Sequence, residues 1–127
     1  MDYDKMMFTG NLGRDPELRY TPNGKKVCKF SVATNRVYTN SQGTEIQETT
    51  WRVVSTWGNQ AEVCNKYLSR SSRVFIEGRL NPDPETGGPK VYERNDGTPG
   101  ASFEVTARRV IFLDGPGKEA QEDDIPF

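Results

Sequence analysis

The 127-residue chain contains no histidine. That removes the commonest general base, the commonest zinc ligand and every Ser–His or Cys–His nucleophile. Cysteine is almost as scarce. Cys28 and Cys64 stand far apart, with no Cys-x-x-Cys spacing. They allow one disulfide, but a buried pair of cytosolic thiols is the simpler reading. No run approaches the roughly 20 apolar residues that span a bilayer. The opening MDYDKMMFTG has no basic region followed by an apolar one, so no secretory leader is expected. Gly10–Gly13 (GNLG) lacks the spacing and the Lys-Ser/Thr ending of a phosphate loop; its glycines read as a bulge or bend in a strand. Asp83, Glu85 and Asp96 follow no Ca²⁺-loop order. Glu45 and Glu48 read as a solvated edge, not an acid/base pair. An enzyme is the least expected class, and no metal or cofactor is called for.

What remains is a polar chain: 33% of residues are hydrophobic and the mean hydropathy is −0.80. Its length suits one domain with a real core. The net charge of −1 is unevenly shared. Residues 1–114 carry 16 basic against 14 acidic side chains, a net of +2. Residues 115–127 carry Lys118 against Glu119, Glu122, Asp123 and Asp124, a net of −3. A mildly basic domain (1–114) followed by a short linker and acidic tail (115–127), disordered when free, is expected.

Alternation of apolar and polar residues predicts strands over Lys5–Gly13 (continuing, past Asp15-Pro16, through Leu18–Tyr20), Lys25–Tyr38, Ile46–Trp57, Arg73–Leu80 and Ala101–Leu113. Asn23-Gly24 is a hairpin turn signal. One helix is expected over NQAEVCNKYLSR, capped by Asn59 with Glu62 three residues on. Ala61, Cys64 and Leu68 fall on its apolar face, with Val63 and Tyr67 beside them. The Pro/Gly-rich NPDPETGGP leads into KVYERNDGTPG, an extension of the fourth strand and a further turn. The expected class is all-β: a five-stranded Greek-key OB-fold barrel with one helix between strands 3 and 4. An SH3-like barrel or a β-sandwich is the rival.

In WRVVSTW, Trp51, Val53, Ser55 and Trp57 share a strand face. Tyr38 can join them if the second and third strands pair, and Tyr92 follows in the excursion. Arg36, Arg70, Arg79 and Lys90 lie near these aromatics in sequence or in the expected barrel. The tryptophans could instead fill the core; Arg52 and Thr56 on the opposite face leave open which side is wet. If exposed, the rings form a stacking platform flanked by cations, which suits single-stranded nucleic acid.

Phe8–Asn35 (FTGNLGRDPELRYTPNGKKVCKFSVATN), TTWRVVSTWGNQAEVCNKYL, VFIEGRL and the terminal DDIPF together resemble bacterial single-stranded DNA-binding proteins. The resemblance implies an OB-fold, assembled as a homotetramer in the bacterial cytoplasm, that coats single-stranded DNA in replication, recombination and repair. By position it implies base stacking by Tyr38, Trp51, Trp57 and Tyr92, the two tyrosines standing where many relatives have tryptophan, and a groove role for Arg70. It also makes Asp123, Asp124, Ile125, Pro126 and Phe127 a tip that docks partner enzymes. The linker is shorter, and the hairpin around Tyr92 longer, than in many relatives. An OB-fold adaptor or an RNA-binding module with weak DNA binding remains the alternative.

Overall fold

A computed structural model describes residues 1–114; the tail and its DDIPF tip lie outside the described residues. The first expected strand is two. β1 (Met6–Leu12) stops before Asp15-Pro16 and β2 (Glu17–Tyr20) resumes beyond it. Proline has no N–H to give the ladder. The Asn23-Gly24 turn, closed by Gly24 N–H to Thr21 O at 2.8 Å, leads to β3 (Lys26–Thr39). β3 pairs antiparallel along its length with β4 (Glu45–Trp57). The Asn40 side chain holds the turn between them, accepting from Gln42 N–H at 2.9 Å and Thr44 N–H at 3.0 Å.

The helix α1 (Asn59–Tyr67) follows β4 as expected but starts differently. Asn59 is already helical and makes no cap; Gly58 is the N-cap, at φ 66°. That conformation favours glycine and lets the chain turn straight from β4 into the helix. Glu62 is drawn instead to Lys26, with which it forms an ion pair. The helix ends before Leu68, which is extended, so the expected last residues through Arg70 are loop.

β5 (Arg73–Asn81) and β7 (Pro99–Phe112) pair antiparallel. The excursion between them holds a strand the alternation read as an extension of β5. β6 (Lys90–Glu93) pairs with the start of β7 around the Asp96-Gly97 turn, forming a separate hairpin. The barrel runs β1–β5–β7–β4–β3 and closes where β3 meets β1 through Asn11↔Ala33 and Leu12↔Val32. Only β4–β7 is parallel among the described pairings. This five-strand closure with one helix between the third and fourth barrel strands is the expected OB-fold.

Phe8, Leu12, Cys28, Phe30, Val32, Val54, Val74, Ile76, Val105 and Ala107 fill the interior, and Ala61, Cys64 and Leu68 bring the helix onto the same core. Val63 and Tyr67 stay exposed. Gly10 and Gly78 serve close backbone crossings: a Cβ on Gly10 would lie 2.4 Å from Ala33 O, and on Gly78 2.2 Å from Thr106 O. Of the bulge or bend expected here, the chain bends at Gly13 while Gly10 serves a close approach, and the observed bulge-like irregularity falls at Glu77/Gly78 in β5. Both cysteines are free and buried. Burial pushes the Cys28 thiol up to about 11 and Cys64 to about 12, so both stay protonated at neutral pH.

Candidate nucleic-acid interface

Side-chain alternation divides β4 cleanly. Val54 and Thr56 point into the barrel and are fully buried. Trp51 and Trp57 point out, 52% and 43% exposed. The interior is already filled by Phe8, Leu12, Phe30 and a set of β-branched side chains, so the indoles are left in water. Arg52, on the inward side, does not make that side wet. Its guanidinium lies 4.3 Å from the centroid of the Phe8 ring and donates to Thr34 Oγ1 at 3.1 Å. Burial lowers its pKa, yet an arginine remains charged.

The ladder surrounds the tryptophans with small residues and cations. Val27 stands opposite Trp57 and Ala33 opposite Trp51; between them Lys29 faces Ser55. Ser55 continues to Thr106 of β7, and Thr106 to Arg79 of β5. Lys29 and Arg79, both exposed, therefore sit on one outward face. Three strand spacings separate them, roughly 14 Å. A depression of about 230 Å³, lined by Arg14, Asp15, Glu17, Lys29, Phe30, Ser31 and Val53, lies on this face. Lys25 and Lys26 line a second hollow with Trp57 and Gly58. Glu104, beside Val53, is a carboxylate on the same face and accepts from Ser102 Oγ at 3.1 Å.

The Trp51 ring rests on Gly13, where a Cβ would fall 2.6 Å from Cζ3 and 2.8 Å from Cη2. Gly13 is fixed by its N–H to Ser31 O at 3.0 Å. Arg70 lies in a loop tied to this end of β1. Its N–H donates to Asp15 Oδ1 at 2.8 Å, and Ser71 N–H donates to Leu12 O at 2.9 Å.

Tyr92 and Lys90 stand opposite Gly100 and Ser102 on β7. Gly100, Ser102, Glu104 and Thr106 alternate along one side of β7, so Tyr92 and Lys90 share the ladder face of Trp51, Trp57 and Arg79. Tyr38 does not. It pairs with Ile46, five residues from Trp51, and an odd separation puts the two on opposite faces of the β3–β4 ribbon. The expectation that pairing would bring Tyr38 to the tryptophans fails for that reason. Arg36 accompanies it there: its guanidinium lies 4.8 Å from the Tyr38 centroid and 3.7 Å from Glu48 Oε1.

Several residues of this surface escaped the sequence reading. Lys29 could have been found by parity with Val27 once Val27 was set opposite Trp57. Arg14 and Lys25 gave no such signal, because their neighbours are set by turns and by the barrel closure. Among the described residues no group of His, Cys, Asp and Glu could hold a metal ion, and no helix is long and apolar enough to cross a membrane.

Comparison with known proteins agrees with this architecture. The structure superposes on the Plasmodium falciparum SSB in complex with ssDNA with a TM-score of 0.72 at 25% identity, covering 90% of this chain and 97% of that one. It superposes on the single-stranded DNA-binding protein from Thermus aquaticus with a TM-score of 0.69 at 25% identity, covering 91% of this chain and 52% of that one. In sequence it is 33% identical to the single-stranded DNA-binding protein of Neisseria meningitidis over 115 residues, 91% of this chain and 62% of that protein. It is 36% identical to that of Wolinella succinogenes over 115 residues, 91% of this chain and 67% of that protein. The chain thus spans about two thirds or less of the length of these two bacterial sequence relatives. The family model of the single-strand binding proteins matches residues 3–113, and the chain belongs to that family.

Proposed function

We propose that this chain binds single-stranded DNA with little sequence preference. The observation that carries the reading is the pair of half-exposed tryptophans on the outward face of a barrel whose core needs neither. Trp51, Trp57 and Tyr92 stack on bases. Lys29, Arg79, Lys90 and Arg70, with Arg14 and Lys25, meet phosphates. Stacking accepts any base, and cations read the backbone alone, so the site has no basis for sequence choice. Tyr38 and Arg36 serve a strand that passes round the edge of the β3–β4 ribbon.

The chain acts in replication, recombination and repair in the bacterial cytoplasm, as a homotetramer whose several grooves raise avidity for one strand. Residues 115–127 form a linker and tail. Asp123 and Asp124 attract basic surfaces, and Ile125, Pro126 and Phe127 offer apolar side chains to a partner pocket. The family relation and the sequence of the tip support this extension.

Titrating the protein with oligo-dT tests the central reading. Tryptophan emission should be quenched, while a blunt duplex should bind weakly. A tight, sequence-specific duplex complex would refute it. Light scattering tests the tetramer; a monomer at micromolar concentration that binds tightly would refute that part. Removing Phe127 should abolish recovery of partner enzymes from a bacterial lysate and leave DNA affinity nearly intact. Undiminished recovery would reduce the tip to a solubility element.

A further inference from the structure

The Tyr92 ring is held from two sides. It stands opposite Gly100, and a Cβ built there would fall 2.7 Å from Tyr92 Cζ and 2.9 Å from Cε2. Gly100 is not among the glycines at positive φ, so the position demands space and not an unusual backbone. The same Cβ would fall 3.0 Å from Arg94 Cζ. The Arg94 guanidinium lies 5.9 Å from the Tyr92 centroid and donates through Nη1 to Pro99 O. Arg94 N–H donates to Thr98 O at 2.8 Å, tying this residue to the hairpin turn. Gly100 is buried on a hairpin that is otherwise mostly exposed; the side chains converging above it are those of Tyr92 and Arg94.

We propose that Gly100 and Arg94 are positioning residues for Tyr92 in the single-strand site: the glycine seats the ring on bare backbone, and the arginine holds it through its guanidinium. The inference rests on the binding function proposed above. A ring already held loses less rotamer freedom when a base stacks on it. A purely structural role is the competing account, since a ring laid over a sheet glycine also shields the ladder.

Binding of the full chain to oligo-dT separates the two accounts. Gly100→Ala should weaken affinity about five- to tenfold through a displaced stack. The salt slope should not change, because no cation is lost. Arg94→Lys should keep that slope and still lose affinity, because an ammonium lacks the planar fork. In a Tyr92→Ala background either change should cost less than about twofold more, the sign of two residues acting through a third. Wild-type affinity in Gly100→Ala, or an equal loss with and without Tyr92, overturns the proposal. If Gly100→Ala does not fold, Arg94→Lys is judged by the same criterion. A wild-type chain that fails to bind oligo-dT refutes the single-strand reading itself, a result distinct from any effect at Gly100.

Discussion

Trp51→Ala measures how the platform divides its contribution between folding and binding. The ring is 52% exposed, so truncation forfeits only about half of the burial of a core aromatic. Full removal of a buried Phe or Trp costs about 3–5 kcal/mol, so the loss here should be about 2 kcal/mol. For a domain of this size that lowers the thermal midpoint by roughly 8 °C and leaves a cooperative transition. The loss in binding has a different source. One base–aromatic stack contributes about 1–3 kcal/mol, which is a drop of about five- to 150-fold in affinity for oligo-dT. The control is Ile76→Ala, fully buried and away from the outward face. It should cost about 2–5 kcal/mol of stability while the folded fraction binds as before. Fluorescence titration, read from Trp57 in the variant, and thermal unfolding of the same samples give both numbers. If Trp51→Ala binds within twofold of wild type, the stacking role is wrong. If it loses the about 3–5 kcal/mol of a fully buried aromatic, the ring belongs to the core.

Gly13→Ala should weaken single-strand binding, because the new methyl occupies the seat of the Trp51 ring 2.6 Å from Cζ3; unchanged affinity would mean the ring can shift at no cost. Lys29→Gln should flatten the log–log salt dependence by about 0.7, one phosphate contact, with no change in base preference; an unaltered slope removes Lys29 from the groove. Both thiols are pushed up from 9.0, to about 11 and about 12, by burial. A raised pKa favours the protonated folded state, so this stabilisation is complete below pH 9 and is lost as pH climbs through 11 and 12. The midpoint of urea unfolding should fall across that alkaline window, and a thiol reagent at pH 8 should label neither cysteine until the chain unfolds. Rapid labelling of the native protein would contradict their burial.

Much of this could be read from alternation alone. The shared face of Trp51 and Trp57, the apolar face of Ala61, Cys64 and Leu68, and the five barrel strands all follow from local period. The wet side of β4 does not, because Arg52 and Thr56 look as solvent-loving as anything opposite. It takes the closed barrel to bury Thr56, whose hydroxyl donates to Cys28 O at 3.1 Å, and to lay Arg52 over Phe8. Tyr38 shows the same limit from the other side. Its expected partner Ile46 is the observed one, and what decides its face is the odd five-residue separation of Ile46 from Trp51. At the helix start Asn59 carries the favoured cap chemistry. The sharp exit from β4 instead places Gly58 there, a tertiary demand that local preference cannot express.

The closure of the barrel has a dynamic consequence. β1 meets β3 at only two paired positions, extended by the Gly13 amide on Ser31. Such a short seam is where a barrel opens most readily without unfolding. Each opening carries Gly13 away from Ser31 and takes the floor from under Trp51. A strand that needs the indole fixed recognises only the closed form, so bound DNA must suppress the opening in proportion to its occupancy. The Gly13 amide should therefore exchange with solvent more slowly in the complex.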